Sequence, residues 1–315
     1  MRKILTISLN PALDSAADVA VVTPDVKLRC VNPTLEPGGG GVNVSRAIKL
    51  LGGESAAFVA LGGATGNMMS ELLAEENVHF TRFDGPVMTR QSFAISETET
   101  GKQYRFGQPG PVWPAQDAPR ALGEIRKLLE KDMLVVASGS LPPGVADDFY
   151  VKLGLMIADA GALMVVDTSG DAQQAIMADG KGLVHVLRMD RHESEILAGR
   201  PLTTLKSAAD FAQDVAKKEH AKLVILARGA EGSVFATEDM RFHWVAPKVQ
   251  VISKVGAGDS FVAGLTYGLA QDMSLQDAGR LATAAAAAAV QSPGSQLCKK
   301  PMVDALLENT EYAEI

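Results

Sequence analysis

Val255-Gly256-Ala257-Gly258-Asp259-Ser260 sets a carboxylate behind two glycines, at the mouth of a helix predicted over Asp259 to about Ala270. Backbone amides freed by such a turn, added to the helix dipole, form an anion pocket. A carboxylate in an anion pocket is electrostatically awkward unless it has work there. The work it suits is taking a proton from a hydroxyl while the amides hold the phosphoryl group which that hydroxyl attacks. The chemistry indicated is phosphoryl transfer, with Asp259 as the base.

Two further glycine clusters stand where ligands gather. Gly38-Gly39-Gly40-Gly41-Val42-Asn43-Val44-Ser45-Arg46-Ala47 leads into a helix. Glycine lets backbone approach a ligand closely, and Asn43 offers both donor and acceptor. A flexible turn is the alternative, but four glycines before a helix exceed what a turn needs. Ser138-Gly139-Ser140-Leu141-Pro142-Pro143-Gly144 follows a predicted strand, at the end where open α/β sheets bind ligands. Pro-Pro-Gly is equally a strong turn signal, so both readings stand for that cluster. Asp14 follows the first strand, and Lys27 and Arg29 lie in a segment without helices. Together they would supply a carboxylate for sugar hydroxyls and two cations for a phosphate; singly, each is ordinary surface charge.

The elements that must hold these residues follow from short apolar runs. Ile4–Leu9, Ala57–Leu61, Leu134–Ser138, Leu163–Asp167, Leu183–Leu187 and Leu223–Ala227 read as strands. Helices are predicted over 43–52, 66–76, 118–130, 146–160, 206–219, 259–271, 275–290 and 302–310. Apolar strands alternating with helices indicate an α/β fold with a doubly wound, mainly parallel sheet. Residues 16–31 and 89–106 break that rhythm, carrying strand-like alternation with no helix to cover it. Such strands must pack on something else, and an antiparallel lid that pairs with another subunit would satisfy them.

Bulk properties narrow the classes. The chain has 315 residues, 47% of them apolar, with a net charge of −7 and a pI near 5.3. This argues against a nucleic-acid surface, and no basic cluster with interleaved aromatics offsets it. Cys30 and Cys298 are the only cysteines, which fits a reducing cytosol. The apolar stretch Leu281–Val290 is half a membrane span, so the reading is a soluble cytoplasmic protein with small-molecule partners and no membrane contact. No Gly-Lys-Ser/Thr closes a glycine loop, and no Gly-x-Gly-x-x-Gly follows the first strand. His192-Glu193-Ser194-Glu195 invites a metal reading, yet one histidine and two carboxylates on a helix are ordinary surface content. Magnesium carried in by a nucleotide needs only one or two carboxylates, so Glu193 remains a candidate.

The glycine run near residue 40 and Val-Gly-Ala-Gly-Asp-Ser near residue 257 together resemble the two signatures of the ribokinase-like (PfkB) sugar kinases. The likeness extends over nearly the whole chain, through Leu9-Asn-Pro-Ala-Leu-Asp14, Lys27-Leu-Arg-Cys30, Thr89-Arg90-Gln91, Gln103-Tyr-Arg-Phe106, the Ser138–Gly144 cluster and Asp167-Thr-Ser-Gly170. Within the family it is most similar to the minor, ATP-dependent 6-phosphofructokinases, with tagatose-6-phosphate and fructose-1-phosphate kinases next. The resemblance implies one ribokinase-like domain over 1–315. Its β-clasp lid would be formed by about 15–32 and 89–107, and a homodimer would be built through that lid. It implies that Asp259 is the catalytic base and that Gly256, Ala257 and Gly258 form the anion hole. Asp14, Gly38, Gly39, Asn43 and Ser140 match residues around the sugar, Lys27 and Arg90 match phosphate contacts, and Arg29 matches a residue reaching the neighbouring subunit's sugar phosphate.

The implied cofactors are ATP and Mg2+, and a monovalent cation beside the Ser253–Gly258 loop is left open. On the nucleotide side the resemblance points to Arg188, Asp190, Ala227, Gly229, Gly232 and Lys254, with Glu193 at the metal. Several of these depart from the family pattern: Arg188-Met-Asp190 stands for Lys-Pro-Asn, Ala227 for a hydroxyl residue and Lys254 for a small one. Ser292-Pro293-Gly294-Ser295-Gln296 also differs. Asp190 adds a charge that repels polyphosphate unless magnesium, Arg188 or Lys254 compensates. The expected reaction is transfer of a γ-phosphoryl group to fructose 6-phosphate. The rival from another class is a sugar-phosphate-binding protein with an impaired nucleotide site.

Overall fold

In the computed structural model of the chain, every residue except Pro86 and Ser295 is described. From the N-terminus, β1 (Ile4–Ser8) leads to β2 (Ala12–Val19), β3 (Val31–Gly38), α1 (Gly40–Leu50) and β4 (Ala56–Leu61). Then come α2 (Gly63–Glu75), β5 (His79–Asp84), β6 (Arg90–Glu97), β7 (Gln103–Gly107), α3 (Asp117–Arg126) and β8 (Leu134–Ser138). The middle of the chain forms α4 (Phe149–Asp159), β9 (Leu163–Asp167), α5 (Gly170–Asp179), β10 (Val184–Met189), α6 (Arg191–Ala198) and α7 (Leu205–Lys217). The last part supplies β11 (Leu223–Ala227), β12 (Ser233–Ala236), β13 (Arg241–Val245), α8 (Ala257–Ala270), α9 (Leu275–Ala289), α10 (Lys300–Leu307) and β14 (Glu311–Glu314).

Ten strands form one sheet in the order β14-β13-β12-β11-β10-β9-β8-β1-β4-β5, parallel from β5 to β11 and antiparallel beyond it. The reason is legible in β8, whose five residues are all buried. Leu134 and Val136 join the core under α1, α8, α9 and α10, while Val135 and Ala137 join the core under α3, α4, α5 and α7. A strand with apolar side chains on both faces must be covered on both, and parallel strands joined through helices do that. The Ala-rich stretch of α9 is buried against α8, small side chains letting the two helices approach closely.

A second sheet, in the order β3-β2-β6-β7, is the lid. Its β2–β6 pair is parallel and its other pairs are antiparallel. The lid differs from expectation in its first half. Residues 20–30 are a loop, and the second strand comes later, at Val31–Gly38. Pro33 and Pro37 hid that strand from sequence reading, but β3 is an edge, where a missing N–H costs no ladder bond. The structure also adds α5, α6, β5, β12, β13 and β14 to the expected elements. The last three lie at one edge of the main sheet and are four or five residues long, too short to show a period. Val31, Leu35 and Phe106 leave large apolar side chains exposed on the lid.

Candidate active site

The chain runs from β1 outward through β4 to β5, then returns to β8 on the other side of β1. The carboxyl ends of β1 and β8 therefore flank a topological switch point, where open α/β sheets leave a crevice. The start of α1 enters it so closely that a Cβ on Gly40 would stand 2.4 Å from Ser138 Oγ. Between this point and the lid lies a cavity of about 370 Å³, walled by Asp14, Asn43, Arg90, Arg105, Gly256 and Asp259 among others. That volume is in the range of small-ligand sites.

Asp259 sits in the first turn of α8, whose cap Gly256 has φ 75, a conformation that favours glycine. The cap offers no side-chain hydrogen bond, so the first amides of α8 remain available to an anion. Ser253 steadies the preceding loop, donating from its hydroxyl to Gly294 O at 2.8 Å and accepting from Val255 N at 3.2 Å. Asn43 Nδ2 donates to Asp259 Oδ2 at 2.9 Å. Burial pushes the Asp259 carboxyl up to about 6, against the Asn43 hydrogen bond; Asp167 and Asp14 add to the rise and Arg188 opposes it. A base at about 6 is ionised at neutral pH and still able to hold a proton in transit.

On the lid side, Asp14 lines the cavity from β2. A Cβ at Gly38 would lie 2.1 Å from its Oδ2, so any larger residue there would displace that carboxylate. Burial raises the Asp14 pKa, with the Ser92 hydroxyl and the charges of Arg90, Arg46 and Arg105 working the other way. Arg90 donates to the carbonyls of Asn10 at 3.1 Å and Gln108 at 3.2 Å, which aims its guanidinium across the cavity wall. Gly39 also lines the cavity. Arg105, on β7, was not among the sequence candidates, yet it lines the same cavity and has no ion-pair partner among the described residues. Its only sequence signal was its place in Gln103-Tyr-Arg-Phe106, and lid pairing is what carries it inward. Ser140 accepts from Asn10 Nδ2 at 3.1 Å and lies outside the cavity wall. Buried Ser138 also lies outside that wall, against Gly40, and its hydroxyl finds no partner among the described residues. Lys27 and Arg29 are exposed on the 20–30 loop, away from the cavity of a single chain.

The nucleotide candidates are not part of that cavity wall, and Arg188 lies against Gly258 of the α8 turn. Arg188 Nη1 donates to Asp167 Oδ1 at 3.0 Å, and a Cβ on Gly258 would stand 3.4 Å from its guanidinium nitrogens. Burial disfavours the Arg188 charge, but Asp167, with Glu193 and Asp190 behind it, more than offsets this and raises its pKa. Its Nε is buried without a partner among the described residues, a donor suited to an anion beside Gly258. Asp190 caps α6, accepting from Glu193 N at 2.8 Å, while Glu193 Oε2 accepts from Asp190 N at 2.7 Å. The extra charge of Asp190 is thus stabilised by a helix N-terminus and a nearby guanidinium. Burial, with Asp190 and Asp167, pushes Glu193 up to about 7 against its hydrogen bond from Asp190 N. Among the described residues no three His, Cys, Asp or Glu side chains are grouped to hold a metal ion, so Glu193 would share a cation with the nucleotide's own phosphates. Ala227 ends β11, Gly229 and Gly232 bracket the turn into β12, and Lys254 is exposed one residue before Val255. Ser295 lies outside the described residues.

Residues 7–302 match the family described as pfkB family carbohydrate kinase. The chain belongs to that family. It is 36% identical over 306 residues to the ATP-dependent 6-phosphofructokinase isozyme 2 of Mycobacterium tuberculosis, covering 97% of this chain and 89% of that one. It is 37% identical over 298 residues to the enzyme of the same description from Escherichia coli K12, covering 95% and 96%. The crystal structure of Escherichia coli phosphofructokinase-2 in complex with fructose-6-phosphate superposes with a TM-score of 0.91 at 34% identity, covering 98% of this chain and 99% of that one. This pfkB family kinase therefore has the ribokinase-like fold and acts as a sugar kinase.

Proposed function

We propose that this kinase transfers the γ-phosphoryl group of ATP to O1 of fructose 6-phosphate, giving fructose 1,6-bisphosphate and ADP. The observation that carries the reading is the placing of Asp259 on a cavity wall that also presents Arg90 and Arg105. Two guanidinium groups in a site for one small ligand call for a dianion such as a sugar phosphate. Asp14 and Asn43 hold sugar hydroxyls and orient the acceptor. Asp259 takes the O1 proton as O1 attacks the γ-phosphorus. The bond from that phosphorus to the bridging oxygen breaks, and ADP leaves with the electron pair. The free amides of the α8 turn and Arg188 stabilise the charge that builds on the transferring group. Glu193 would hold Mg2+, which when bound neutralises polyphosphate charge.

Lys27, exposed on the 20–30 loop away from the cavity, would join the phosphate site when that loop closes over bound sugar. Val31, Leu35 and Phe106 on the lid are the surface for a second copy of the chain, which brings Arg29 to the neighbouring site. The kinase works in the cytoplasm; its two free cysteines support this, and no helix among the described residues is long and apolar enough to cross a membrane.

The test is ADP release over a panel of phosphorylated and free ketohexoses, with ATP and with GTP, each with and without potassium. Turnover greatest with ATP and fructose 6-phosphate supports the proposal. Turnover confined to unphosphorylated sugars would overturn it, and calorimetric binding of the sugar phosphate without nucleotide binding would favour the binding-protein alternative.

A further inference from the structure

Arg46 is a buried cation one helical turn from Asn43 on α1, with 7% of its surface exposed. Its guanidinium is fully engaged on one side: Nε and Nη2 each donate to Glu76 at 2.6 Å, and Nη1 donates to Pro37 O at 2.8 Å. The same Nη1 reaches Asn43 Oδ1 at 3.4 Å, a long contact, while the Asn43 Nδ2 donates to Asp259 Oδ2 at 2.9 Å. Arginine only donates and an ionised carboxylate only accepts. An amide between them has one satisfied orientation, oxygen toward Arg46 and NH2 toward Asp259. Glu76 caps the C-terminal end of α2, where the helix dipole disfavours a carboxylate, so Arg46 is what stabilises it there.

We propose that Arg46, anchored by Glu76, is a positioning residue that fixes the Asn43 amide so that it donates to Asp259, and that the same guanidinium ties the base to the end of β3 through Pro37. The inference rests on the reading of Asp259 as the base. Arg46 touches neither reacting atom in this arrangement and acts through Asn43. The charged groups facing Asp259 are Asp14 from β2, Asp167 from β9 and Arg188 from β10. Of these and the Asn43 amide, only the Asn43 amide can reverse polarity, by turning over. When Arg46 is absent, the amide is free to present its oxygen to Asp259, which favours the protonated acid and removes the base at low pH.

The experiment is the pH dependence of kcat/KM for fructose 6-phosphate in the unaltered kinase and in Arg46→Met, Arg46→Lys, Glu76→Gln and Asp259→Asn. Losing one hydrogen bond to the carboxylate should move the acid limb up by about one pH unit, so Arg46→Met loses about tenfold at low pH and recovers most of it above the limb. Arg46→Lys, which keeps a donor, should shift less, and Glu76→Gln should shift in the same direction. A uniform loss at every pH in folded Arg46→Met would overturn the proposal, since a merely structural role is not relieved by raising pH. If Arg46→Met does not fold, the half-exposed Glu76 carries the test, and an unmoved limb in Glu76→Gln overturns it. Full activity in Asp259→Asn would instead remove the base assignment itself, a failure distinct from an unmoved limb beside an inactive Asp259→Asn.

Discussion

Arg188 Nη1 lies 3.0 Å from Asp167 Oδ1, joining neighbouring strands β10 and β9 just beneath the glycines that open α8. Both side chains are largely buried, at 14% and 12% exposure. Removing one partner of such a pair leaves an uncompensated charge, at a cost of about 3 kcal/mol or more. Arg188→Met should therefore lower the unfolding free energy by that order in denaturant titrations, and adding Asp167→Asn should recover at least half of it. An unchanged midpoint in Arg188→Met would show that the pair carries no such energy.

With Asp259 as the proposed base, the reaction should show an acid limb. Burial raises its carboxyl to about 6, so it is protonated, and inactive as a base, below that pH. With Mg2+ saturating so that Glu193, raised to about 7, stays ionised, kcat/KM should fall about tenfold per pH unit below about 6 and level off above it. Rate profiles between pH 5 and 8 check this; a flat profile across that range would contradict it.

Arg105 and Arg90 should divide the recognition of the phosphate. Charge-assisted hydrogen bonds are worth about 1.5 to 3 kcal/mol, so Arg105→Met should raise KM for fructose 6-phosphate by about tenfold to a hundredfold with kcat little changed. The preference for the phosphorylated over the free sugar should shrink by the same factor. Steady-state kinetics on both sugars measures this.

Glu97 governs the loop that carries Lys27 and Arg29. Its buried carboxylate accepts from Val22 N at 2.7 Å and from the Thr100 hydroxyl, and Thr98 N donates to Val19 O at 2.9 Å beside it. Glu97→Ala should leave the core intact but free residues 20–30, giving faster proteolytic cleavage there and a several-fold higher KM for sugar phosphate. Equal cleavage rates would count against this role.

The parallel sheet was legible because β1, β4, β8, β9, β10 and β11 are continuous apolar runs, and such runs have few other stable uses. β3 was not, because its two prolines read as a break and only its edge position admits them. The glycine turn and its carboxylate were legible from local sequence alone: Gly256, Gly258 and Asp259 are neighbours in the chain and open α8. Arg105 and the Glu76–Arg46–Asn43 chain were not, because they become a site only through long-range contacts. Asn43 and Asp259 are 216 positions apart, and no local pattern states which face of the Asn43 amide meets the carboxylate. Asp190 looked like a cost in the sequence and is a helix cap in the structure, which needed α6 to be seen.

Asp259→Asn separates sugar binding from the proposed proton transfer out of the acceptor hydroxyl. The variant keeps the size and much of the hydrogen bonding of the side chain and removes only its basicity. With saturating ATP and fructose 6-phosphate, kcat should fall by about 10²- to 10⁴-fold, while calorimetry still finds sugar phosphate bound with an affinity close to that of the unaltered kinase. Turnover equal to that of the unaltered kinase would overturn the assignment of Asp259 as the base.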